Sequence, residues 1–132
     1  MFKIMYRMIF FIPWIILSLA IIYFSHQESI EFLNGTFYLK DKILHFYAYF
    51  IYGLSIQFAL INSKNYKTKK YIYTIILIGA LFGLSDEIHQ YFVVGRSTEF
   101  LDWIADVLGV SFSLVFKNLV LWFKNKIDNS LS

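Results

Sequence analysis

The sequence predicts an all-α, polytopic membrane protein with four transmembrane helices and both termini in the cytoplasm. Three observations carry this reading. The 132 residues are 58% hydrophobic and 21% aromatic, more apolar surface than one soluble core of this size hides. The apolar residues are gathered into four runs separated by polar loops. The basic residues of those loops alternate in density from one side to the other, as the positive-inside rule requires.

Each run is judged against the roughly 20 helical residues needed to cross the hydrocarbon. The first, about 8–24, carries no charge. Lys3 and Arg7 precede it and Ser18-Leu19-Ala20 loosely resembles a cleavage site, but the apolar run continues to Phe24. We therefore expect a retained helix rather than a signal peptide. The second, about 43–61, is interrupted only by His45, Ser55 and Gln57. The third is short in apolar residues, 71–84, and reaches spanning length only if the helix continues through Ser85-Asp86-Glu87-Ile88-His89-Gln90. The fourth, about 101–123, has Asp102 and Asp106 near its start and Lys117 near its end. A frayed tail is expected after Lys126. The length suits one domain, 1–132.

Loop charges set the orientation. Lys3 and Arg7, then Lys64, Lys67, Lys69 and Lys70, then Lys117, Lys124 and Lys126 all fall on one side, which the rule calls cytoplasmic. Glu28, Glu31, Asp41, Asp86, Glu87, Glu99 and Asp102 fall on the other, with Lys40, Lys42 and Arg96. The net charge of +3 reads as a topology signal, with no footprint for nucleic acid. The absence of cysteine excludes disulfides, thiolate metal sites and cysteine nucleophiles.

Antiparallel helices bring the start of helix two, the end of helix three and the start of helix four to the outer face. Helix two offers Lys42, His45 and Tyr49, with Asp41 and His45 in contact range at i,i+4. Helix three offers Asp86, Glu87, His89 and Gln90, with Asp86 expected to face His89 and Gln90. Helix four offers Asp102 and Asp106, and the loop before it Arg96 and Glu99. Gly79 and Gly83 lead up to Glu87 at four-residue spacing, and Ala105, Gly109 and Ser113 accompany Asp106. Rows of small residues let helix backbones approach closely. We therefore expect helices three and four to pack tightly below the polar ends and bring Glu87 and Asp106 together.

Ionisable residues at a membrane boundary point to function. Three uses compete. The acids can be structural partners of Lys42 and Arg96. Six acids (Asp41, Asp86, Glu87, Glu99, Asp102, Asp106) nevertheless outnumber the three bases of this face, so pairing cannot neutralise them all. A divalent metal would use the surplus, because histidines with carboxylates suit Zn²⁺, Mn²⁺ or Fe²⁺, although no H-E-x-x-H motif is present. Acid–base catalysis is the third use. His89 or His45 would carry the proton, with Asp86, Glu87 or Asp106 orienting it. Arg96 would clamp an anionic head group, with Lys42, Gln90, Asp102 and Tyr49 as further ligand contacts. Ser85 and Ser97 show no nucleophile–base spacing.

Other residues read more simply. His26 is expected to be solvated. Gln57, deep in helix two, is expected to hydrogen-bond between helices. Trp14, Trp103 and Trp122 read as an aromatic belt, and Lys64 to Lys70 as a contact with anionic lipid.

The ordered series Ser25 and Gln27, Asp41-Lys42-x-x-His45-Phe46-x-x-Tyr49, Ser85-Asp86-Glu87-x-His89-Gln90-x-Phe92-x-x-Gly95-Arg96, then Asp102, Asp106 and Gly109 resembles the VanZ-like family of small bacterial membrane proteins. His26 stands where that family often has a small polar residue. The family takes its name from a protein linked to teicoplanin resistance in Gram-positive bacteria. The resemblance implies a multi-pass protein of the cell membrane whose polar site works at the outer face. Its expected partners are the bilayer and a lipid-linked cell-wall precursor or glycopeptide. Membrane enzyme, binding protein and structural accessory all remain open.

Overall fold

The computed structural model describes residues 8–27, 39–62 and 67–130. Lys3, Arg7, Glu28, Glu31 and Lys64, used above for orientation, lie outside them. Helix α1, Ile12–Ser25, is shorter than the expected 8–24 run. Its first turn contains Pro13, which has no N–H to donate and whose ring disfavours helix in the residues before it. Phe10 and Phe11 accordingly form a turn, and Phe10 becomes a fully buried core residue.

Helix α2, Lys40–Leu60, buries His45, Tyr49, Tyr52, Ile56 and Ala59, a row whose alternating spacing of four and three marks one helix face. Helix α3, Lys69–Tyr91, buries Tyr71, Ile75, Gly79 and Gly83 and then Asp86, Glu87 and Gln90. The third helix thus does continue through the acidic stretch. Helix α4, Phe100–Ser113, passes through a 3-10 turn, Leu114–Phe116, into α5, Lys117–Ser130. The expected helix over 101–123 with a frayed end is corrected here, since helix continues to Ser130. Lys124 and Asp128 pair at i,i+4, Val120 is buried, and Ile127 packs against the core.

Three segments are long and apolar enough to cross a membrane: Lys40–Leu60, Lys69–Tyr91 and Phe100–Ser130. The shorter apolar helix is Ile12–Ser25. Large apolar residues such as Ile16, Leu19, Leu77, Leu81, Leu108 and Val115 are exposed. In water such a surface would be a liability; in a bilayer it is the lipid-facing wall. The chain is a multi-pass membrane protein.

With lipid outside, the hydrophobic effect does little to hold helices together, and close packing and interhelical hydrogen bonds take over. The most extensive contact joins α2 and α4. A Cβ on Gly109 would lie 2.3 Å from the Phe46 carbonyl oxygen, and one on Gly53 would lie 2.4 Å from Ser113 Oγ. The small-residue row of α4 therefore serves α2, not α3. The Gly79–Gly83 row of α3 rests on Val110 and Asp106 of α4, as expected.

Hydrogen bonds tie the remaining faces. Trp14 Nε1 donates to the Tyr52 hydroxyl at 2.9 Å, and Trp103 Nε1 donates to the Ala80 carbonyl at 2.9 Å. These two tryptophans thus join helices, while Trp122 is exposed. Gln57 Nε2 donates to the Ser113 carbonyl at 2.8 Å and to Ser113 Oγ at 3.1 Å, the interhelical role expected of it. Gln57→Leu should destabilise the protein by about 1 kcal/mol, the usual scale of such bonds in membranes. Unfolding in detergent would measure it, and an unchanged midpoint would show that these bonds contribute nothing.

Candidate functional site

The polar end of the bundle is assembled in three layers. Its rim is an ion-pair bridge. Lys42 Nζ, one turn into α2, lies 2.6 Å from Glu99 Oε2 and 3.0 Å from Asp102 Oδ1. Two acids share this lysine, and Asp102 is almost fully buried. The bridge ties the loop before α4, and the first turn of α4, to α2.

One turn below sits the inner cluster. His45 Nδ1 is 2.9 Å from Asp106 Oδ1 and 3.8 Å from Glu87 Oε1. Each member comes from a different helix: His45 from α2, Glu87 from α3 and Asp106 from α4. Gly83 makes this possible, because a Cβ there would meet Asp106 Oδ2 at 2.8 Å. The expected approach of Glu87 and Asp106 is present, with His45 added. Glu87 Oε2 accepts the Glu99 backbone N–H at 3.2 Å, and Thr98 Oγ1 donates to the Glu87 carbonyl at 3.2 Å. Glu87 Oε1 and Asp106 Oδ2, by contrast, are buried without a hydrogen-bond partner among the described residues. A carboxylate oxygen hidden from water without a donor is costly.

The third layer joins α1 to α3. Ser25 Oγ donates to Asp86 Oδ1, and Gln90 Nε2 donates to Ser25 Oγ and to Asp86 Oδ2, both at 3.2 Å. Asp86 therefore meets Gln90 as expected, but its other partner is Ser25, not His89. His89 Nε2 instead lies 3.3 Å from His26 Nδ1, so His26 is a neighbour of a candidate residue rather than an isolated loop histidine. Arg96 Nε donates to the Gln27 carbonyl at 3.1 Å, and its Nη2 to the Phe24 carbonyl at 2.8 Å. These carbonyls lie at the C-terminal end of α1, where cations commonly bind; that of Phe24 also accepts the Gln27 backbone N–H at 3.2 Å. Gly95, at φ 80°, supplies the left-handed residue that turns the chain back toward α1.

Between these layers lies a cavity of about 320 Å³, lined by Ile21, Phe24 and Gln27 of the α1 end, Asp41, Leu44, His45, Ala48 and Tyr49 of α2, Asp86 of α3, and Arg96. Four of these ten residues are apolar, and six can hydrogen-bond or carry charge. The Tyr49 hydroxyl is buried near Asp86 and Asp106 and makes no hydrogen bond of normal geometry among the described residues.

Two groups of ligand atoms fall within 4.8 Å of one another among the described residues: Asp41, His45 and Asp102, and His45, Glu87 and Asp106. Lys42, His45, Tyr49, Asp86, Glu87, Gln90, Arg96, Asp102 and Asp106 thus share one end of the bundle. His89 joins them only through the exposed histidine pair. Sequence reasoning missed Ser25 as a site residue. Its one signal is its place in the Ser25/Gln27 motif, which names no partner for it.

A family model described as VanZ/LLP1 matches residues 2–121. A Schizosaccharomyces pombe protein, described as uncharacterized protein C11E3.10, is 28% identical over 90 residues, 68% of this chain and 52% of that protein. The chain thus spans about half the length of that relative. No solved structure matches.

Proposed function

The chain belongs to the VanZ/LLP1 family, and on that premise we propose that it binds a lipid-linked component of the cell envelope at the outer face of the membrane. In doing so it alters susceptibility to glycopeptides such as teicoplanin. The observation that carries this reading is the two-sided cavity. Ile21, Phe24, Leu44 and Ala48 form an apolar wall, and Asp41, His45, Tyr49, Asp86 and Arg96 a polar one. Ligand sites combine apolar lining with a few placed polar groups, and this one lies at a helix end of a membrane protein, where an amphiphile has both its solvents.

The outward orientation rests on the loop charges. Lys67, Lys69, Lys70, Lys117, Lys124 and Lys126 stand at the opposite end from the cavity, and such lysine-rich ends are retained in the cytoplasm. The multi-pass protein then has both ends inside and its polar site facing out. Arg96, held by two α1 carbonyls, presents the rest of its fork to the cavity wall, where a phosphate or carboxylate head group fits.

The test is teicoplanin tolerance in a bacterial host. Cells carrying His45→Ala or Asp86→Ala should fall to the susceptibility of cells lacking the protein, with immunoblots confirming equal accumulation. Full tolerance in both variants would remove the cavity from the function.

A second reading is favoured by one contact, the His45–Asp106 hydrogen bond beside the cavity. A carboxylate-oriented imidazole is the usual proton carrier of acid–base catalysis. Binding predicts saturable retention of envelope lipids by purified protein without product. Catalysis predicts their conversion, abolished by His45→Ala.

A further inference from the structure

We propose that His45, Glu87 and Asp106 form a binding site for one divalent transition-metal ion, of the Zn²⁺ or Mn²⁺ class, at the junction of α2, α3 and α4. The proposal concerns the ion alone and does not depend on which amphiphile enters the cavity.

Geometry is the first support. Zn²⁺ sits about 2.1 Å from nitrogen and oxygen ligands, so tetrahedral ligands stand about 3.4 Å from one another. The His45 Nδ1 separations from Asp106 and Glu87 are 2.9 Å and 3.8 Å, which bracket that value. All three ligand atoms lie within 4.8 Å of one another. The donor set, one imidazole and two carboxylates, suits Zn²⁺ and Mn²⁺.

The second support is independent of the spacing. Glu87 Oε1 and Asp106 Oδ2 have no hydrogen-bond partner among the described residues, in residues only 3% and 0% exposed. Among the described residues the ion pairs of Lys42 are with Glu99 and Asp102, and Arg96 donates to the α1 carbonyls. Among the described residues Glu87 and Asp106 both form their ion pairs with His45, and one imidazolium cannot balance two carboxylates. A divalent ion balances both and leaves the imidazole neutral, the form that ligates metal. Gly83 admits the Asp106 carboxylate at the contact with α3, and the Glu99 N–H holds the second oxygen of Glu87. Such outer contacts are what orient metal ligands.

The exposed pair His26 and His89 is the competing location, and the experiment separates the two. Detergent-purified protein is stripped with chelator, dialysed against ZnCl₂ or MnCl₂, and analysed for metal. Wild type should retain about one ion per chain. Glu87→Gln and Asp106→Asn should each lower affinity by roughly tenfold or more, while His26→Ala retains the ion. Because a variant can misfold, wild type is also read alone. Electron spin-echo modulation of bound Mn²⁺ should show one coordinated imidazole nitrogen. No stoichiometric ion in wild type overturns the site. So does an ion kept by both acid variants, an ion lost with His26→Ala, or a spectrum showing two coordinated imidazoles or none.

Discussion

Gly109→Ala is expected to destabilise the protein more than a methyl group added at any of its other interhelical glycines. The new Cβ would stand 2.3 Å from the Phe46 carbonyl oxygen and 2.9 Å from the Phe50 amide nitrogen. Both are backbone atoms in the middle of α2, so no rotamer change relieves the clash. The two helices must separate along the most extensive interface of the fold. Overpacking typically costs about 1–3 kcal/mol, and this site should fall at or beyond the upper end. Gly79 offers the contrast. A Cβ there meets the Val110 methyls at 2.5 and 2.8 Å, which are side-chain atoms. Val110→Ala should therefore rescue Gly79→Ala, whereas shortening side chains should not rescue Gly109→Ala. Unfolding midpoints in detergent and cellular abundance both read this order. Gly109→Ala with a wild-type midpoint would mean that α2 and α4 are not in contact there.

That contact also shows where sequence reasoning reaches its end. The row Ala105, Gly109 and Ser113 announces a close helix approach, because small residues at four-residue spacing have that physical meaning in any apolar helix. It does not name the partner, and the row faces α2 rather than the anticipated α3. Within a helix the period fixes neighbours, so the Asp86–Gln90 contact was legible. Across helices, antiparallel topology places ends together without fixing rotation. His45 and Asp106 could be assigned to one end, but their 2.9 Å contact could not. The same topology brings the end of α1 to that face. Ser25 and His26 close an apolar helix that gives no charge signal, so the motif that contains Ser25 does not name Asp86, Gln90 or His89 as neighbours. The chemistry of Arg96 predicts an anion clamp. Its chain context, one residue after a left-handed glycine, turns two of its donors to helix-end carbonyls first.

The His45–Asp106 pair carries the other large expected effect, and it separates structural from functional use of buried charge. Asp106 is fully buried, and Asp106→Ala would leave His45 facing Glu87 at 3.8 Å with no closer acceptor among the described residues. Removing one partner of a buried pair usually costs about 3–5 kcal/mol, while replacing both with apolar side chains is often neutral or stabilising. His45→Phe and Asp106→Leu should each lower the unfolding midpoint sharply. The double variant should recover part of that loss, because neither member of the 2.9 Å pair is then left facing an absent partner, while the buried Glu87 still loses its 3.8 Å contact with His45. Teicoplanin tolerance should stay absent in all three. A structural pair predicts the opposite, with tolerance returning in step with stability in the double variant. That outcome would reduce the inner cluster to a fastening between α2 and α4. Stability without tolerance would mean instead that a costly polar cluster is kept for what it does at the cavity wall, in agreement with Glu87 and Asp106 each retaining a buried oxygen with no hydrogen-bond partner among the described residues.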